Sequence, residues 1–319
     1  MPTAAARTAT APRVSVVTVN DRQPQVTAEL LTSLRACTYP NLEVVLVDGG
    51  SDADERARFA YHFPGVVYVR TPTRPGFAGG SNVGLRHATG ELILLLANDT
   101  LVAPDFLGPL VELLSQKPDV GIASPKVLTA GARVEYAGAV LAGAVRGRTH
   151  QIGYGEADAD RYDDTRETDL PSGTCLLVRR EVFAAVGLLP VDYFLYFETA
   201  DFALAARRAG YRTMYCGASR VTHRHTVPHG YGDDRRSYDF HHDRLRFHRR
   251  ALGLLSYVAL VLYYWCVAIP AAALRFWRKP NRRQLRAMGR ALRHEVRQGV
   301  GPEEPLALPH LTSAVTADD

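Results

Sequence analysis

The chain has 319 residues, of which 46% are hydrophobic and 22% charged, and its formal net charge is +5. This composition is ordinary for a globular protein and allows one large or two small domains with a sizeable core. The four cysteines are far apart without a Cys-x-x-Cys pair, which argues against a zinc site or a disulfide framework. Arginine is frequent between 235 and 297. This surplus indicates either a solvated surface or an anionic partner, such as a nucleotide phosphate or an anionic lipid.

The first 120 residues alternate short apolar runs with helical patterns, which predicts a doubly wound, mainly parallel α/β sheet. The predicted strands span 14–19, 42–47, 66–69 and 91–96, and the predicted helices span 26–37, 52–63 and 104–116. A glycine-rich turn at 76–84 leads into a further helix. Such sheets bind ligands beyond the carboxyl ends of their strands. Asn20, Asp48 and Asp99 all lie at that edge.

The second half of the chain is predicted to be less regular. The patterns indicate a hairpin at 134–145, a mobile acidic loop at 153–169, strands at 174–178 and 211–215, and helices at 182–186 and 198–209. A loop with three histidines follows, at His223, His225 and His229. Residues 1–12 lack the apolar run of a signal peptide, and they are expected to be disordered, like residues 299–319.

A carboxylate that directly follows a strand is suited to hold a cation beside a phosphate-bearing ligand. Mg²⁺ typically takes one or two protein carboxylates, while substrate phosphates and water complete its coordination. Asp99 has this position. Taken alone, an aspartate at such a place is more often a turn residue or a helix cap, and the Thr100 that follows fits this alternative. Asp48 likewise suits either a nucleoside contact or an Asp-Gly-Gly turn.

The order of the motifs along the chain is more specific than any single motif. The motifs are Asn20, Asp-Gly-Gly-Ser at 48–51, Gly-Phe-Ala-Gly-Gly-Ser-Asn at 76–82, Asn-Asp-Thr at 98–100, Ser-Gly at 172–173, Tyr-Phe-Leu-Tyr-Phe-Glu at 193–198 and Ala-Ser-Arg-Val-Thr-His at 218–223. This order resembles the family 2 glycosyltransferases of the GT-A fold, especially their rhamnosyltransferase-like branch, over about 14–250. The resemblance implies one domain at 13–250, with a nucleotide-sugar-binding half (13–125) and an acceptor-binding half (126–250).

The resemblance also implies roles for individual residues. Asp99 would hold Mg²⁺ or Mn²⁺, and His223 would complete the metal site. Ser172 and Gly173 would border the acceptor pocket. The donor-binding residues would be Thr18, Asn20, Asp48, Ser51, Gly80, Asn82 and Asn98. The implied reaction moves a sugar, with inversion, from dTDP-rhamnose or a UDP-sugar to a hydroxyl of a lipid-linked saccharide in cell-envelope polysaccharide synthesis.

The chain departs from the family pattern at the catalytic base. The pattern has a Glu-Asp pair after the aromatic run, whereas this chain has Glu198 followed by Thr199. A threonine does not accept a proton at neutral pH. Glu198 or Asp201, three residues apart on one side of a predicted helix, is therefore expected to be the base. Alternatively, the chain is a catalytically silent relative that binds a nucleotide-sugar and acts as a partner or regulatory subunit.

Residues 251–274 form an uncharged apolar stretch with arginine-rich flanks. The stretch is long enough to span a bilayer, but a single span would place one basic flank outside. Membrane-associated helices over 251–298 are therefore expected, in the plane of the membrane or re-entrant, on its cytoplasmic face. Leu285, Met288 and Leu292 should share one side of the last helix. A buried core helix or the seam of a homo-oligomer is the alternative. A nucleic-acid partner is not expected, because no recognised binding module accompanies the arginines.

Overall fold

The computed structural model describes residues 11–142, 148–193, 196–224, 233–271 and 282–298. In this part of the chain, most strands belong to one mixed sheet. The strands are β1 (Val14–Asn20), β2 (Leu42–Gly49), β3 (Val67–Thr71), β4 (Leu92–Leu96), β5 (Thr100–Val102), β6 (Val120–Thr129), β7 (Val134–Tyr136), β8 (Ala139–Ala142), β9 (Arg148–Gln151), β10 (Thr165–Glu167), β11 (Cys175–Arg179) and β12 (Arg212–His223). The sheet order is β10-β12-β6-β11-β4-β1-β2-β3, β5 pairs with β12 and β7 with β6, and β8 and β9 form a separate ladder.

Helices cover both faces of this sheet, as expected for a doubly wound fold. The helices are α1 (Pro24–Arg35), α2 (Arg56–His62), α3 (Gly76–Leu85), α4 (Leu107–Gln116), α5 (Arg180–Val186), α6 (Glu198–Arg208), α7 (Asp233–Phe247), α8 (Leu254–Tyr263) and α9 (Arg282–Gln298). Neighbouring residues of β1 contribute to two different cores. Val16 packs with α1, α2 and α4, whereas Val17 packs with α3, α5 and α6, because successive side chains of a strand point to opposite faces.

The predicted parallel arrangement is confirmed for β1 to β4, and the second half adds antiparallel pairs. β11 lies between β4 and β6 and is antiparallel to both. β12 is also far longer than the predicted strand at 211–215. Its second part has few apolar residues, so the strand pattern is weak there, but it is held by backbone pairing with β5 and β6. His223 is therefore the last residue of a strand, while His225 and His229 lie outside the described residues.

Two other predictions for the second half are wrong. The hairpin predicted at 134–145 does not form within its described residues, 134–142, because β7 pairs with β6 while β8 pairs with β9. Gly138, with φ of 100°, turns the chain between them. The acidic loop 153–169, expected to be mobile, is attached to the sheet by β10 and by a buried lysine. Lys126 Nζ lies 2.6 Å from carboxylate oxygens of both Asp158 and Asp163. Burying that ammonium group requires such partners.

The glycine-rich segment is not a turn before a helix but is itself helical, because it forms α3. Its glycines allow close packing on the sheet. A Cβ at Gly80 would lie 2.7 Å from Val19 Cγ1, and one at Gly84 would lie 2.5 Å from Val17 Cγ1. Both distances are too short for real contacts. The glycines therefore determine how closely α3 approaches β1 and, with it, the strand ends.

A Gly84→Ala substitution is expected to lower the free energy of unfolding by about 1–3 kcal/mol, because the added methyl group overpacks the contact with β1. Gly108→Ala is the matched control. Gly108 is also in a helix, but a Cβ there would have no neighbour within 4 Å, so this variant should gain up to about 1 kcal/mol from helix propensity. Urea unfolding of both variants measures the difference. Equal changes in the unfolding free energy of the two variants would contradict the close packing of α3 on β1.

The C-terminal helices α7, α8 and α9 pack on one another around a small apolar core. Its buried residues are Leu245, Tyr257, Leu260, Tyr264, Met288, Ala291 and Leu292. Met288 and Leu292 share one side of α9 as predicted, and the side chain of Leu285 lies outside the described set. In the described part of the chain, one helical stretch, Leu254–Ala271, is long and apolar enough to cross a membrane, and 22% of it is buried.

Candidate functional site

A cavity of about 620 Å³ opens at the carboxyl ends of β1 and β4. Its lining includes segments that are distant in the chain, among them Gly49 at the end of β2 and Tyr136 in β7. Six of the residues predicted from the sequence line this one cavity. They are Asn98, Asp99, Ser172, Gly173, Glu198 and His223. Residues more than 120 positions apart in the chain thus surround the same space.

Asp99 and His223 are brought together by strand pairing. His223 lies opposite Thr100 in the β12–β5 ladder, which places the imidazole beside the aspartate. Nε2 of His223 lies 3.1 Å from Oδ1 of Asp99, and Nδ1 lies 2.9 Å from Oε1 of Glu135. Burial lowers the pKa of His223, but the hydrogen bonds to the two carboxylates outweigh burial and raise this pKa to about 9.

The donor atoms of this pair fit a divalent cation. In the described part of the chain, no group of three or more histidine, cysteine and carboxylate side chains is arranged to hold a metal, so the protein would supply two ligands. Two adjacent ligands of an octahedral cation, with bonds of about 2.1 Å, lie about 3 Å apart. Asp99 Oδ1 and His223 Nε2 have this separation. Glu135, on the other imidazole nitrogen, would orient the ring, as outer carboxylates commonly do.

Asp48 at the end of β2 is fully buried and held by three hydrogen bonds. Oδ1 accepts from Asn20 Nδ2 (2.7 Å) and from Ser51 Oγ (2.5 Å). Oδ2 accepts from the hydroxyl of Tyr68 (2.6 Å). These donors fix the carboxylate beside Gly49, which lines the cavity. Asn20, Asp48 and Ser51 thus form one polar cluster at the cavity edge, and their contact with a nucleoside remains a prediction.

Asn20, Asp48 and Ser51 do not themselves line the cavity, and neither do the other predicted donor residues Thr18, Gly80 and Asn82. Thr18 is fully buried, and its Oγ1 has no hydrogen-bond partner among the described residues. Gly80 faces Val19 of β1. Asn82 uses both ends of its amide on the backbone of Leu189, at 2.8 and 3.1 Å. The contacts of Gly80 and Asn82 hold α3 in place, which is a structural reason for these residue types.

The two candidate bases have different surroundings. Glu198, the first residue of α6, lines the cavity, and its Oε2 has no hydrogen-bond partner in the described part of the chain. Burial raises the pKa of Glu198 to about 8. Asp201 does not line the cavity. Its Oδ2 lies 2.7 Å from Arg250 Nε and accepts a hydrogen bond of 3.0 Å from the hydroxyl of Tyr193. Glu198 is therefore the one available to a ligand.

Helix α7 holds the segment that carries Glu198. The preceding residue, Phe197, has a left-handed backbone with φ of 70°, a conformation that a bulky residue keeps only when its surroundings impose it. Its ring stacks on Phe247 with centroids 5.1 Å apart. Next to it, the backbone N–H of Tyr196 donates to Asp243 Oδ2 (3.2 Å). The negative charge of Asp243 also adds to the raised pKa of Glu198.

The raised pKa of Glu198 predicts how stability depends on pH. In the folded state the carboxyl group of Glu198 has a pKa of about 8, against a usual value of 4.5. Its protonation therefore stabilises the folded state, and this contribution is fully present below pH 4.5 and is lost as pH rises through about 8. The unfolding free energy of wild type should fall, relative to Glu198→Gln, by about 1.4 kcal/mol per pH unit inside that window. Urea unfolding of both proteins at several pH values measures this difference. If the difference in unfolding free energy between the two proteins stayed constant across this pH range, Glu198 would be ionised in the folded state throughout it, and the raised pKa would be wrong.

Sequence reasoning missed Glu135, Tyr68 and Asp243. The alternation Val-Glu-Tyr at 134–136 indicates a strand with the glutamate on the polar face, but nothing local indicates a partner 88 residues away. Tyr68 also lies in a predicted strand, and only the pairing of β2 with β3 brings its hydroxyl to Asp48. Asp243 lies in the arginine-rich segment, where nothing in the sequence distinguishes it from the other charged residues.

Comparisons with known proteins agree with this architecture. The model of Glycosyl transferase family 2 matches residues 14–187, more than half of the chain. An uncharacterized protein of Sinorhizobium fredii is 28% identical over 70% of this chain and 25% of its own length. An O-antigen biosynthesis protein of Myxococcus xanthus is 27% identical over 66% of this chain and 17% of its own length. The chain thus spans a quarter or less of these two relatives.

A third relative is similar to this chain over most of its own length. It is the N-acetylglucosaminyl-diphospho-decaprenol L-rhamnosyltransferase of Mycobacterium tuberculosis, 25% identical over 60% of this chain and 70% of the relative.

Solved structures of glycosyltransferases have a similar fold. A mannosyltransferase of Pyrobaculum calidifontis, in complex with GDP-Man and Mn²⁺, superimposes with a TM-score of 0.55 at 21% identity, covering 91% of this chain and 88% of that one. TarS of S. aureus, in complex with UDP, gives a TM-score of 0.53 at 16% identity, covering 78% of this chain and 65% of that one. The fold is therefore the GT-A fold, and the chain belongs to glycosyl transferase family 2.

Proposed function

We propose that this protein is an inverting glycosyltransferase that moves a sugar from a nucleotide-diphosphate sugar to a hydroxyl of a lipid-linked saccharide. One observation carries the proposal. The Asp99–His223 pair, which fits a divalent cation, lines the same cavity as Glu198, a buried carboxylate with a pKa near neutrality. A general base is most effective when its pKa lies near the working pH.

In this proposal, residues at one end of the cavity bind the donor, and a residue at the other end activates the acceptor. Asp48, with Asn20 and Ser51, would contact the nucleoside at the edge of the cavity. Asp99 and His223 would hold Mg²⁺ or Mn²⁺, which when bound offsets the charge of the diphosphate. At the other end, Glu198 accepts the proton of the acceptor hydroxyl. The oxygen of that hydroxyl attacks the anomeric carbon from the side opposite the diphosphate, and the bond to the diphosphate breaks. This course inverts the configuration of the anomeric carbon.

Names of similar proteins support the choice of substrates. A rhamnosyltransferase that is named for a diphospho-decaprenol acceptor is among the relatives, and the similar solved structures were obtained with GDP-Man and Mn²⁺ or with UDP. We therefore propose dTDP-rhamnose or a UDP-sugar as donor, a polyprenyl-diphosphate saccharide as acceptor, and Mg²⁺ or Mn²⁺ as cofactor.

Transfer assays with these substrates test the proposal. The purified full chain is incubated with dTDP-rhamnose or a UDP-sugar, Mn²⁺ or Mg²⁺, and N-acetylglucosaminyl-diphospho-decaprenol, and the lipid product is identified by mass spectrometry. Donor binding without sugar transfer or donor hydrolysis would instead favour the silent relative that Thr199 suggests. The position of Glu198, which lines the cavity and whose Oε2 has no hydrogen-bond partner in the described part of the chain, favours the active enzyme.

We also propose that α8 attaches the protein to the cytoplasmic face of the membrane and lies in its plane. This helix continues into a π-helical turn at Tyr264–Ala268, and together they have two distinct faces. Tyr257, Leu260 and Tyr264 pack on α7 and α9. The opposite face is exposed and apolar, with exposed fractions from 45% to 89%, and consists of Leu254, Leu255, Val258, Leu262 and Trp265. A helix with one face packed on protein favours in-plane binding over a span, and the arginines of α9 suit anionic headgroups.

Replacing Leu255 or Trp265 with glutamate is expected to weaken binding to vesicles that contain phosphatidylglycerol by about tenfold or more, because each variant loses the transfer free energy of a large apolar side chain. Vesicle co-sedimentation measures the loss. Tyr61→Glu, at a position 79% exposed on α2, is the control and should bind like wild type. If the glutamate variants kept their affinity but changed a dimer into a monomer in sedimentation velocity, the exposed face would be an oligomer seam instead.

A further inference from the structure

A second cavity, of about 860 Å³, adjoins the first on the side of Glu198. The linings of the two cavities overlap at Glu135, Thr149, Gln151, Tyr154, Gly173, Tyr196, Glu198 and Ala200. Asp99 and His223 line only the first cavity, whereas the second reaches further, to His150 of β9 and Phe240 of α7. A molecule in the second cavity would therefore meet Glu198 without contact with Asp99 or His223.

Aromatic rings from three separate segments line this second cavity. They are Tyr154 after β9, Tyr196 and Phe197 before α6, and Phe240 on α7. Phe240 is held in place by ring contacts, with centroids 5.5 Å from Tyr196 and 5.8 Å from Phe197. It is nevertheless 39% exposed, and Tyr154 is 67% exposed. Large rings that remain exposed in a concave site are suited to bind a partner rather than to build the core.

Polar side chains complete the lining of the cavity. Thr149, His150 and Gln151 of β9 are exposed there, as is Glu156. They supply hydrogen-bond donors and acceptors beside the aromatic rings. A sugar ring matches this combination, since its C–H bonds form an apolar face that packs on an aromatic ring, while its hydroxyl groups point outward to polar partners.

We propose that Tyr154, Tyr196 and Phe240 form a saccharide-binding platform for the acceptor. A pyranose ring stacks on the platform, and one of its hydroxyl groups reaches Glu198 where the two cavities meet. This inference rests on the proposed function and makes it more specific, because it assigns the acceptor saccharide to residues of this chain. Tyr196 and Phe240 lie beyond residue 187, where the match to the family model ends.

The same cavity is less suited to the lipid part of an acceptor. A polyprenyl chain offers no hydrogen-bonding groups, and it would cover Thr149, His150 and Gln151 of the lining without supplying partners, which carries a free-energy cost. An exposed apolar surface for lipid is present elsewhere, on α8. The chemistry of the two surfaces therefore assigns the sugar to the platform and the lipid to α8.

Saturation-transfer NMR tests the platform without donor, metal or turnover. The probes are the methyl β-glycosides of N-acetylglucosamine, glucose and galactose, added to the full chain. We expect saturation of the ring C–H protons of at least one probe. Tyr154→Leu and Phe240→Leu should each reduce this signal at least threefold, because leucine retains apolar area but has no aromatic face. Tyr154→Phe should retain it. Tyr61→Leu, at an exposed tyrosine on α2, is the matched control and should retain the full signal.

Several results would overturn the proposal. One is the absence of saturation transfer to all three glycosides in wild type. Another is transfer that persists in both leucine variants. A third is displacement of the glycoside by farnesyl phosphate in wild type, if Phe240→Leu also lost binding of the farnesyl chain, because the platform would then be a lipid site. These results are distinct from those that would contradict the proposed transferase function. A silent protein would still bind the glycoside, and an active enzyme without this platform would transfer sugar while giving no ring signal.

Discussion

Asp99→Asn is expected to reduce sugar transfer by about 10³-fold, because metal stabilisation of a leaving diphosphate contributes several kcal/mol to the transition state. The substitution keeps the size of the side chain and removes its charge. Asp99 is one of the two proposed protein ligands, with His223 Nε2 3.1 Å from its Oδ1, so the loss of its charge should also weaken Mn²⁺ binding. Initial rates at saturating donor measure the first effect, and electron paramagnetic resonance of free Mn²⁺ measures the second.

Asp119→Asn provides the control for this prediction. Asp119 is exposed, and it directly precedes β6, where its carboxylate is 2.8 Å from Arg212. Its variant should transfer sugar and bind Mn²⁺ like wild type. Wild-type Mn²⁺ affinity in Asp99→Asn would show that the cation, if one binds, is held by other residues. Lost activity with retained Mn²⁺ affinity would instead give Asp99 a role in binding the donor.

Glu198→Gln is expected to lower kcat by about 10²–10⁴-fold, the usual contribution of a general base, with little change in the KM of the donor. In wild type the base acts only when it is deprotonated. The rate should therefore increase with pH up to about 8, the pKa to which burial raises Glu198, and then level off. In Glu198→Gln this dependence on pH should disappear. Rates between pH 5.5 and 9.5 at saturating substrates measure both effects.

Asp201→Asn separates the two candidate bases. Asp201 lies 2.7 Å from Arg250, so the loss of its charge leaves a cation with a weakened partner and should lower stability. Since Asp201 does not line the cavity, the pH at which the rate levels off should not change. If this variant lost the pH dependence and Glu198→Gln retained it, Asp201 would be the base.

The first half of the fold follows closely from the sequence, because β1, β2 and β4 are short apolar runs that are buried on both faces. Every residue of β1 is buried, and such runs are readable without knowledge of their partners. Asn20, Asp48 and Asp99 were placed correctly at one edge for the same reason, since parallel strands end together. The local pattern was less informative for β12, where Ser219 and Thr222 interrupt the apolar residues in a strand that backbone pairing sustains.

The site was harder to predict, because its contacts join distant segments. His223 was expected near Asp99 from the family resemblance, but Glu135 on its other nitrogen depends on β7, a strand of three residues. Asn82 shows the opposite case. Its type suggested a ligand contact, whereas both amide atoms bind the backbone of Leu189, 107 residues away. A polar residue in a motif therefore indicates which region of the fold it lies in more reliably than which group it binds.

The irregularity in β12 has a consequence for how this family can vary in length. Cys216 pairs with Pro125 and Arg220 with Lys126, so residues 217–219 form a bulge that has no counterpart in β6. A side chain of a sheet changes face only when its strand slips in register against its neighbours. The pairing of His223 with Thr129 of β6 and Thr100 of β5 therefore fixes the direction of its imidazole, and a bulge that changes length without changing these pairs leaves it in place. Homologues that conserve this histidine should therefore differ freely in the length of the bulge.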